Sequence, residues 1–561
     1  MWHPSGRAAR LVAVAVAVGL CVLSAAALAG PVAADSSPPA NHTATTEGGA
    51  APEIVAVFPD PVADGDRGEY VVVDADGTRN LTIGDGESTV GVPPGGRVAL
   101  SSAPNATRAL VGTEIRVVAP GLELSNAGER LVLERDGRVV DEVGYDRSNE
   151  GERLNATTGR WTPRGLRPRP VVATGAATAT AFVLPDAPDV PIETLRDADR
   201  RILVAGYTFA SPRATDALLA AQRRGVRVRV LLDGGPIGGM TTAQREQLDR
   251  LAAGGVDVRL IDGPHSRYAY HHPKYAVVDD RALVLTENWK PAGTGGRDSR
   301  GWGVRVDSAR TADELAAVFA HDADGLDAVP WRAVRRNASF VDVAPASGSF
   351  EAKIEPESVA VDRVRVLTAP GNAGAAVRET IAAADDSVAL LAPRLDVDGP
   401  YFAALVAAAE RGVRVRILLS NAWYDEDSNR AVVDRAADLR ERGLPIEARI
   451  ADPGDRFGKV HAKGVVADDA VIVGSLNFNA HSARENREVL IALAGSEPAA
   501  YFRSAFEADW RAAAGAGSSG PAWASSDLRT RLTMALGSLA ALLLAAFALR
   551  RTVEFENRED P

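Results

Sequence analysis

Two copies of the pattern His-x-Lys-x4-Asp stand in the chain, one at His272, Lys274 and Asp279, the other at His461, Lys463 and Asp468. An unperturbed imidazole titrates near about 6.5, so one member of a pair can be neutral and attack while the other is protonated and donates. Two imidazoles facing one phosphate, flanked by ammonium groups, supply what phosphodiester cleavage without a metal requires. Those parts are a nucleophile, a proton donor for the leaving oxygen, and donors aimed at the charge on the phosphoryl oxygens. The chain holds five lysines, Lys274, Lys290, Lys353, Lys459 and Lys463, and two of them fall inside the motifs, although arginine replaces lysine almost everywhere else. These positions therefore demand a compact ammonium rather than a planar guanidinium.

The duplication extends beyond the motifs, as expected of an internal repeat. Arg224 to Leu232 recurs as Arg411 to Leu419, 187 positions later, and His461 follows His272 by 189. In both halves a helix-like run, Ala214 to Arg224 or Tyr401 to Arg411, ends at a glycine that suits a C-cap, and a strand alternating valine with arginine follows. Apolar strands, Ile202 to Phe209 and Val388 to Ala392, precede the helices. Strands alternating with helices imply a largely parallel sheet covered on both faces, so each half reads as an α/β unit. On a strand, His272 and Lys274 share a face, as do His461 and Lys463. Asp279 and Asp468 fall at odd spacing and join the catalytic set in a supporting role. Apolar residues at 276–278 and 465–467 put both His-Lys pairs at the mouth of a buried strand.

After Asp468 come Gly474, Ser475 and Asn477, then Ser482, Asn486 and Glu488. With the paired motifs, these residues make the second half similar, position by position, to the phospholipase D superfamily, and the resemblance covers both halves from Ala181 to Ala514. The first half departs from that pattern. Thr286, Glu287 and Asn288 stand where Gly-Ser-x-Asn would begin, Trp289 follows, and a glycine-rich stretch through Gly303 replaces the segment that should end in glutamate. The resemblance implies that His272 forms a phosphohistidine and that His461 is the general acid, which then activates water or an alcohol. The residues themselves leave that order open. The resemblance also implies that Lys274, Lys463, Asn288 and Asn477 hold the phosphoryl oxygens, that Ser475 and Thr286 add hydroxyl donors, and that Glu488 orients an imidazole. No cofactor is expected. A metal site is the rival, because His265, His271 and His272 lie close together. Adjacent strand positions point to opposite faces, however, and no carboxylate or cysteine spacing completes a zinc set.

At 561 residues the chain is expected to be multidomain. Its net charge of −11 and its wealth of Ala, Val, Asp, Glu and Arg resemble salt-adapted, haloarchaeal surface proteins. Residues 1–34 read as a signal peptide, Arg7 and Arg10 preceding an apolar run that is also long enough to stay as an anchor. The one cysteine, Cys21, lies in that run, which leaves the mature chain without a disulfide. Residues 35–50 read as a disordered linker. Short alternating strands within 51–150, such as Ile54 to Phe58, Tyr70 to Val73, Arg130 to Leu133 and Val139 to Val143, point to an immunoglobulin-like β-sandwich. This segment resembles the lamin-tail domain through Glu53 to Pro61, Glu69 to Val73, Leu124 to Glu129 and Val139 to Asp141. Linkers at 151–180, 346–360 and 515–531 set off two phospholipase D-type α/β lobes, 181–345 and 361–514. An apolar stretch at 532–549 is long enough for a transmembrane helix, followed by a cytoplasmic tail at 550–561. Sequons at Asn41, Asn80, Asn105, Asn155 and Asn337 agree with an extracytoplasmic catalytic region on a single-pass cell-membrane protein. The expected partner is a phospholipid or nucleic-acid phosphodiester. The tether favours lipid, whereas Arg227, Arg229, Arg414 and Arg416 read as a basic lining that attracts polyphosphate. A third reading, an inactive phosphate-binding surface protein, is opposed by the retention of His272, Lys274 and Asn288.

Overall fold

The computed structural model describes residues 51–166, 171–263 and 265–515. The expected signal peptide at 1–34, the linker at 35–50, the segment beyond Gly515, the apolar stretch at 532–549 and the tail at 550–561 lie outside the described residues. Among the described residues, no helix is long and apolar enough to cross a membrane.

Residues 53–163 form a six-stranded and a four-stranded sheet around one apolar cluster, in which Ile54, Val73, Leu131 and Leu133 are fully buried. This unit runs past its expected end at 150. Strands Glu152–Asn155 and Arg160–Pro163, from the supposed linker, complete the six-stranded sheet because Leu154 and Trp161 give them an apolar face to bury.

The two following lobes repeat one topology. The first runs β1 (Ala177–Leu184), β2 (Arg201–Gly206), α1 (Pro212–Arg223), β3 (Arg227–Asp233), β4 (Asp257–Ile261), β5 (Tyr275–Val278), β6 (Arg281–Leu285), β7 (Ser299–Asp307) and α2 (Ala309–Ala323). The second runs β8 (Arg363–Ala369), β9 (Ser387–Ala392), α3 (Pro400–Glu410), β10 (Arg414–Leu419), β11 (Ile446–Ile450), β12 (Gly464–Ala467), β13 (Ala470–Gly474), β14 (Glu488–Ala494) and α4 (Ser496–Gly515). Across the first sheet the order is β1-β7-β6-β5-β2-β3-β4, and across the second β8-β14-β13-β12-β9-β10-β11, the same path twice. Gly225 and Gly412 follow α1 and α3 with φ of 91° and 94°. The next N–H groups, of Val226 and Val413, donate back to Ala221 and Ala408 at 3.1 Å, which closes the helix ends as their glycines foretell.

The sheets are mixed, not largely parallel. Along the two strand paths just given, β2-β3-β4 and β9-β10-β11 run parallel and the other neighbours antiparallel. Two residues link β5 to β6 and β12 to β13, too few for a crossover helix, so each pair is an antiparallel hairpin. Nor is 346–360 wholly a linker, because strand Glu357–Val361 pairs with β1 and extends the first sheet.

Asp279 and Asp468 occupy those hairpin turns in left-handed conformation, φ 53° and 47°. The Asp279 carboxylate accepts the N–H groups of Asp199, Arg200 and Arg201 at 2.8, 2.9 and 2.9 Å. Asp468 accepts those of Asp385, Asp386 and Ser387 at 2.7, 3.2 and 2.8 Å. Each motif aspartate thus ties the start of the central strand, β2 or β9, to the hairpin. At roughly 3.3 Å per residue it sits about 15 Å from its motif lysine, at the other end of the strand. The aspartates therefore do not belong with the catalytic set. Asp468→Ala leaves three N–H groups without their acceptor and is expected to lower stability by about 1–3 kcal/mol in a urea titration. Turnover per folded molecule should stay within threefold of the parent, and a hundredfold loss of turnover at unchanged stability would restore a catalytic role.

Candidate active site

His272 and Lys274 lead into β5, and His461 and Lys463 into β12, so both motifs open at the same end of their sheets. Each motif segment is stitched to the opposite lobe. The His272 N–H donates to the Arg487 carbonyl at 2.9 Å, and the Arg487 N–H donates to the Tyr270 carbonyl at 2.8 Å. In the related arrangement His461 and Ala462 donate to the Arg300 carbonyl at 3.0 and 2.9 Å, and Lys459–Val460 pairs with Ser299–Arg300. Arg300 and Arg487 are themselves buried and charge-paired. Arg487 Nε meets Asp322 of α2 at 2.7 Å, and Arg300 Nε meets Asp509 of α4 at 2.9 Å. Each helix of one lobe thereby holds an arginine of the other. Around them one apolar cluster joins the lobes, with Trp302 of β7 and Phe502 of α4 at 4.8 Å between ring centroids.

The imidazoles are oriented across the same interface. His272 Nδ1 lies 2.9 Å from both carboxyl oxygens of Glu488, and His461 Nδ1 lies 3.2 Å from Glu287 Oε1. Nε2, on the far side of each ring, is left to meet phosphorus or a leaving oxygen. Glu488 stands where its motif places it. Glu287 is the partner the motif pattern does not foretell. Thr286 N–H donates to the Trp302 carbonyl at 3.0 Å just as Ser475 N–H donates to that of Val489 at 3.1 Å, and this register makes Gly301 the counterpart of Glu488. A Cβ at Gly301 would stand 2.2 Å from Glu287 Cγ. The carboxyl has moved from β7 to the end of β6, and a glycine leaves it the space. An acidic residue directly before Asn288, combined with a glycine at 301, is the signal that marks the exchange.

Lys274 and Lys463 Nζ each donate to the carbonyl of their own motif histidine at 2.7 Å. Asn288 is buried and Asn477 half-buried, and Asn288 Oδ1 has no partner among the described residues. The hydroxyls of Ser475 and Thr286 are already engaged. Ser475 Oγ accepts the Val489 N–H at 3.0 Å and donates to the Val489 carbonyl at 3.3 Å, and Thr286 Oγ1 accepts the Trp302 N–H at 2.9 Å, so the two hydroxyls brace β14 and β7. The expected basic lining is also absent from the site. Arg229 pairs with Asp257 at 3.1 Å and lies over Phe319, Arg416 pairs with Glu507 and lies over Phe506, and the exposed Arg227 and Arg414 start their strands at the end away from the motifs. Period two fixes which residues share a face, and helices α2 and α4 cover that face here. His271 is buried, its imidazole pushed down to about 3 by burial, and no three His, Cys, Asp or Glu side chains converge on a metal position among the described residues.

Burial drives this whole constellation toward its neutral forms. It pushes both imidazoles well below their ordinary range, with the neighbouring Lys274 and Lys463 adding to the effect. It raises Glu488 to about 8 and Glu287 to about 7, and lowers Lys463 to about 8. Of the two rings His461 is the more open, 25% of its side chain being exposed against 10% for His272. Lys290 and Lys459, outside either motif, also act on His461, so four of the five lysines gather here. A phosphodiester anion placed among these groups reverses the trend and favours ammonium and imidazolium.

Glu287→Gln retains the shape and removes the charge that steadies an imidazolium at His461, and is expected to lower kcat by 10–100-fold with little change in KM. Gly301→Ala should reproduce that loss by displacing the Glu287 side chain. Parental kcat in both variants would show that the His461–Glu287 contact does no work.

Residues 192–323 and 377–510 each match the family model described as cardiolipin synthase, PLD-like domain. The mitochondrial cardiolipin hydrolase of Xenopus laevis is 39% identical over 98 residues, which are 17% of this chain and 42% of that protein. The phosphatidylserine synthase of Haemophilus influenzae Rd KW20 aligns with a TM-score of 0.44 at 15% identity, over 59% of this chain and 86% of its own. The phospholipase D family member Nuc of Salmonella typhimurium aligns with a TM-score of 0.24 at 21% identity, over 27% and 98%. Both lobes thus match PLD-like domains of the cardiolipin synthase type, and the chain spans less than half the length of the curated relative it matches.

Proposed function

We propose that the chain is a membrane-associated, extracytoplasmic phosphodiesterase that hydrolyses or transfers phospholipid head groups without a metal, through a phosphohistidine. The observation that carries the reading is the crossed pair of His–Glu contacts, one imidazole from each lobe held at Nδ1 by a carboxyl of the other. In the first step His272 Nε2 attacks phosphorus, the bond from phosphorus to the leaving alcohol oxygen breaks, and the proton on His461 Nε2 passes to that oxygen. In the second, His461 removes a proton from water or an acceptor alcohol, whose oxygen attacks phosphorus and breaks the N–P bond. His272 is the more enclosed ring, which suits the neutral imidazole a nucleophile needs, and His461 the more open to a leaving oxygen and to water, which supports this order of roles. Lys274 and Lys463 hold the phosphoryl oxygens with Asn288 and Asn477.

Lipid is favoured over nucleic acid by two observations. The matching family model and the Xenopus relative both carry the name of cardiolipin, a phospholipid, and the arginines that would track a polynucleotide are folded against α2 and α4 or lie away from the site. In this reading 1–34 directs export, 532–549 tethers the chain, and the N-terminal two-sheet unit is a lamin-tail-type sandwich that positions the catalytic region. The test incubates the purified chain with head-group-labelled phospholipid vesicles and with single- and double-stranded oligonucleotides, chelator present, beside His272→Ala and His461→Ala. Head-group release that survives chelator and falls by about 10²–10⁴-fold in each variant is expected. Shortened oligonucleotides with intact lipid would replace the lipase by a nuclease, and full activity in either variant would remove the two-imidazole mechanism.

A further inference from the structure

We infer that the N-terminal two-sheet unit is part of the reaction centre: its Glu152 holds Arg484 of the second lobe, and through Arg484 it positions Glu488 against His272. The inference rests on the two-imidazole reading above and on neither choice of substrate. Glu152 is fully buried, and its two carboxyl oxygens accept from Arg484 Nε and Nη2, each at 2.8 Å. A carboxylate met by both prongs of a guanidinium fixes the arginine in angle as well as in distance. Glu152 opens strand Glu152–Asn155, and the register of its sheet sets it opposite Pro163, the neighbour of Arg164. Arg164 Nη1 donates to the carbonyls of His265 and Ser266 at 3.0 and 3.2 Å. One edge of the unit thus grips both segments that lead to the His272–Glu488 contact, one in each lobe.

Every residue from Arg484 to Glu488 is tied down. The Glu485 carbonyl accepts the Ala269 N–H at 2.9 Å, and the Arg487 backbone bonds to Tyr270 and His272. Asn486 Nδ2 donates to Glu488 Oε1 at 3.2 Å and to Ser482 Oγ at 3.4 Å. A displacement of Arg484 therefore passes along the segment to the carboxyl that orients His272. The first-lobe segment is fitted just as closely. A Cβ at Gly165 would stand 2.3 Å from the Tyr268 ring, whose hydroxyl meets Asp322, the partner of Arg487, at 3.1 Å.

The other crossed contact is braced differently. The repeat of 189 positions makes Asp455 the counterpart of Ser266, and the match of Gly301 to Glu488 makes Arg297 that of Arg484. Both are met by the connection between the lobes. Lys353 Nζ donates to Asp455 at 2.7 Å, and Arg297 donates to the Gly348 carbonyl at 3.3 Å. These two contacts are exposed, where such pairs hold little. The N-terminal unit accordingly steadies the half that carries His272 more firmly than the connection steadies the half that carries His461. A unit that served only as a spacer has no need of a fully buried carboxylate, which is costly unless its pairing is kept.

The test uses the full chain with Glu152→Gln, Arg484→Gln and the two combined, assayed on bis(para-nitrophenyl) phosphate, a phosphodiester that is neither lipid nor nucleic acid. In each variant kcat per folded molecule is expected to fall about tenfold with KM within about twofold of the parent. The double variant should lose no more than either single one, as residues acting through one contact do. The proton between His272 Nδ1 and Glu488 is followed by NMR beside the one between His461 Nδ1 and Glu287, each assigned by its loss in His272→Asn or His461→Asn. The His272 resonance is expected to move in all three variants while that of His461 stays, a split that general loosening of the fold would not produce. Parental kcat in both single variants, losses that multiply in the double variant, a His272 resonance that stays, or two resonances that move together overturn the inference. If the parent turns over no phosphodiester, or His272→Asn turns it over like the parent, the two-imidazole mechanism falls and the resonances decide alone. Movement confined to His272 then upholds the positioning role of Glu152, and its absence overturns it.

Discussion

Each imidazole of this protein depends on a carboxyl group from the other lobe. His272 and Glu488 lie 216 residues apart in sequence, and His461 and Glu287 lie 174 apart, yet each pair is in direct contact in a buried interface. A titratable pair taken out of water is held only if its geometry is good and its remaining polar groups are satisfied. That requirement explains the neighbouring architecture. The Arg487–Asp322 and Arg300–Asp509 contacts cross the same boundary, and the Trp302–Phe502 packing keeps water out of it. Removing one partner of such a buried pair typically costs about 3–5 kcal/mol, so lobe association and the ordering of the site are one property.

Repetition of the fold makes the site nearly two-fold symmetric, and its departures from symmetry are where chemistry is assigned. One carboxyl comes from the start of β14 and the other from the end of β6. His272 is the more enclosed and faces Tyr207, whereas His461 is more open and faces Lys459 and Lys290. A symmetric pair of imidazoles has no reason to divide the tasks of nucleophile and acid. In the proposed order of roles, the unequal exposure of the two rings supplies one.

Much of this was legible in the chain itself. The doubled motif, the valine–arginine strands and Gly225 and Gly412 marked two α/β units and the strands that carry the histidines, because these signals are local and periodic. The mixed character of the sheets was hidden, since a two-residue connection at Asp279 or Asp468 lies inside what reads as one continuous motif. The same aspartates joined the catalytic set in a supporting role because a repeated spacing does not say whether a carboxylate meets substrate or three backbone N–H groups. Glu287 escaped notice because its role rests on a contact between residues in different lobes and on the missing side chain at Gly301. Arginine periodicity named a face, and only packing against α2 and α4 revealed what covers it.

The central claim is most directly tested by trapping. The chain is mixed with a phosphodiester labelled in its phosphoryl group, quenched at alkaline pH, digested and mapped by mass spectrometry, beside Glu488→Gln. A labelled phosphoryl group on the peptide containing His272, strongly reduced by a substitution 216 residues away in the other lobe, is the predicted result. Label on neither imidazole, or label on His272 that is indifferent to Glu488→Gln, would contradict it.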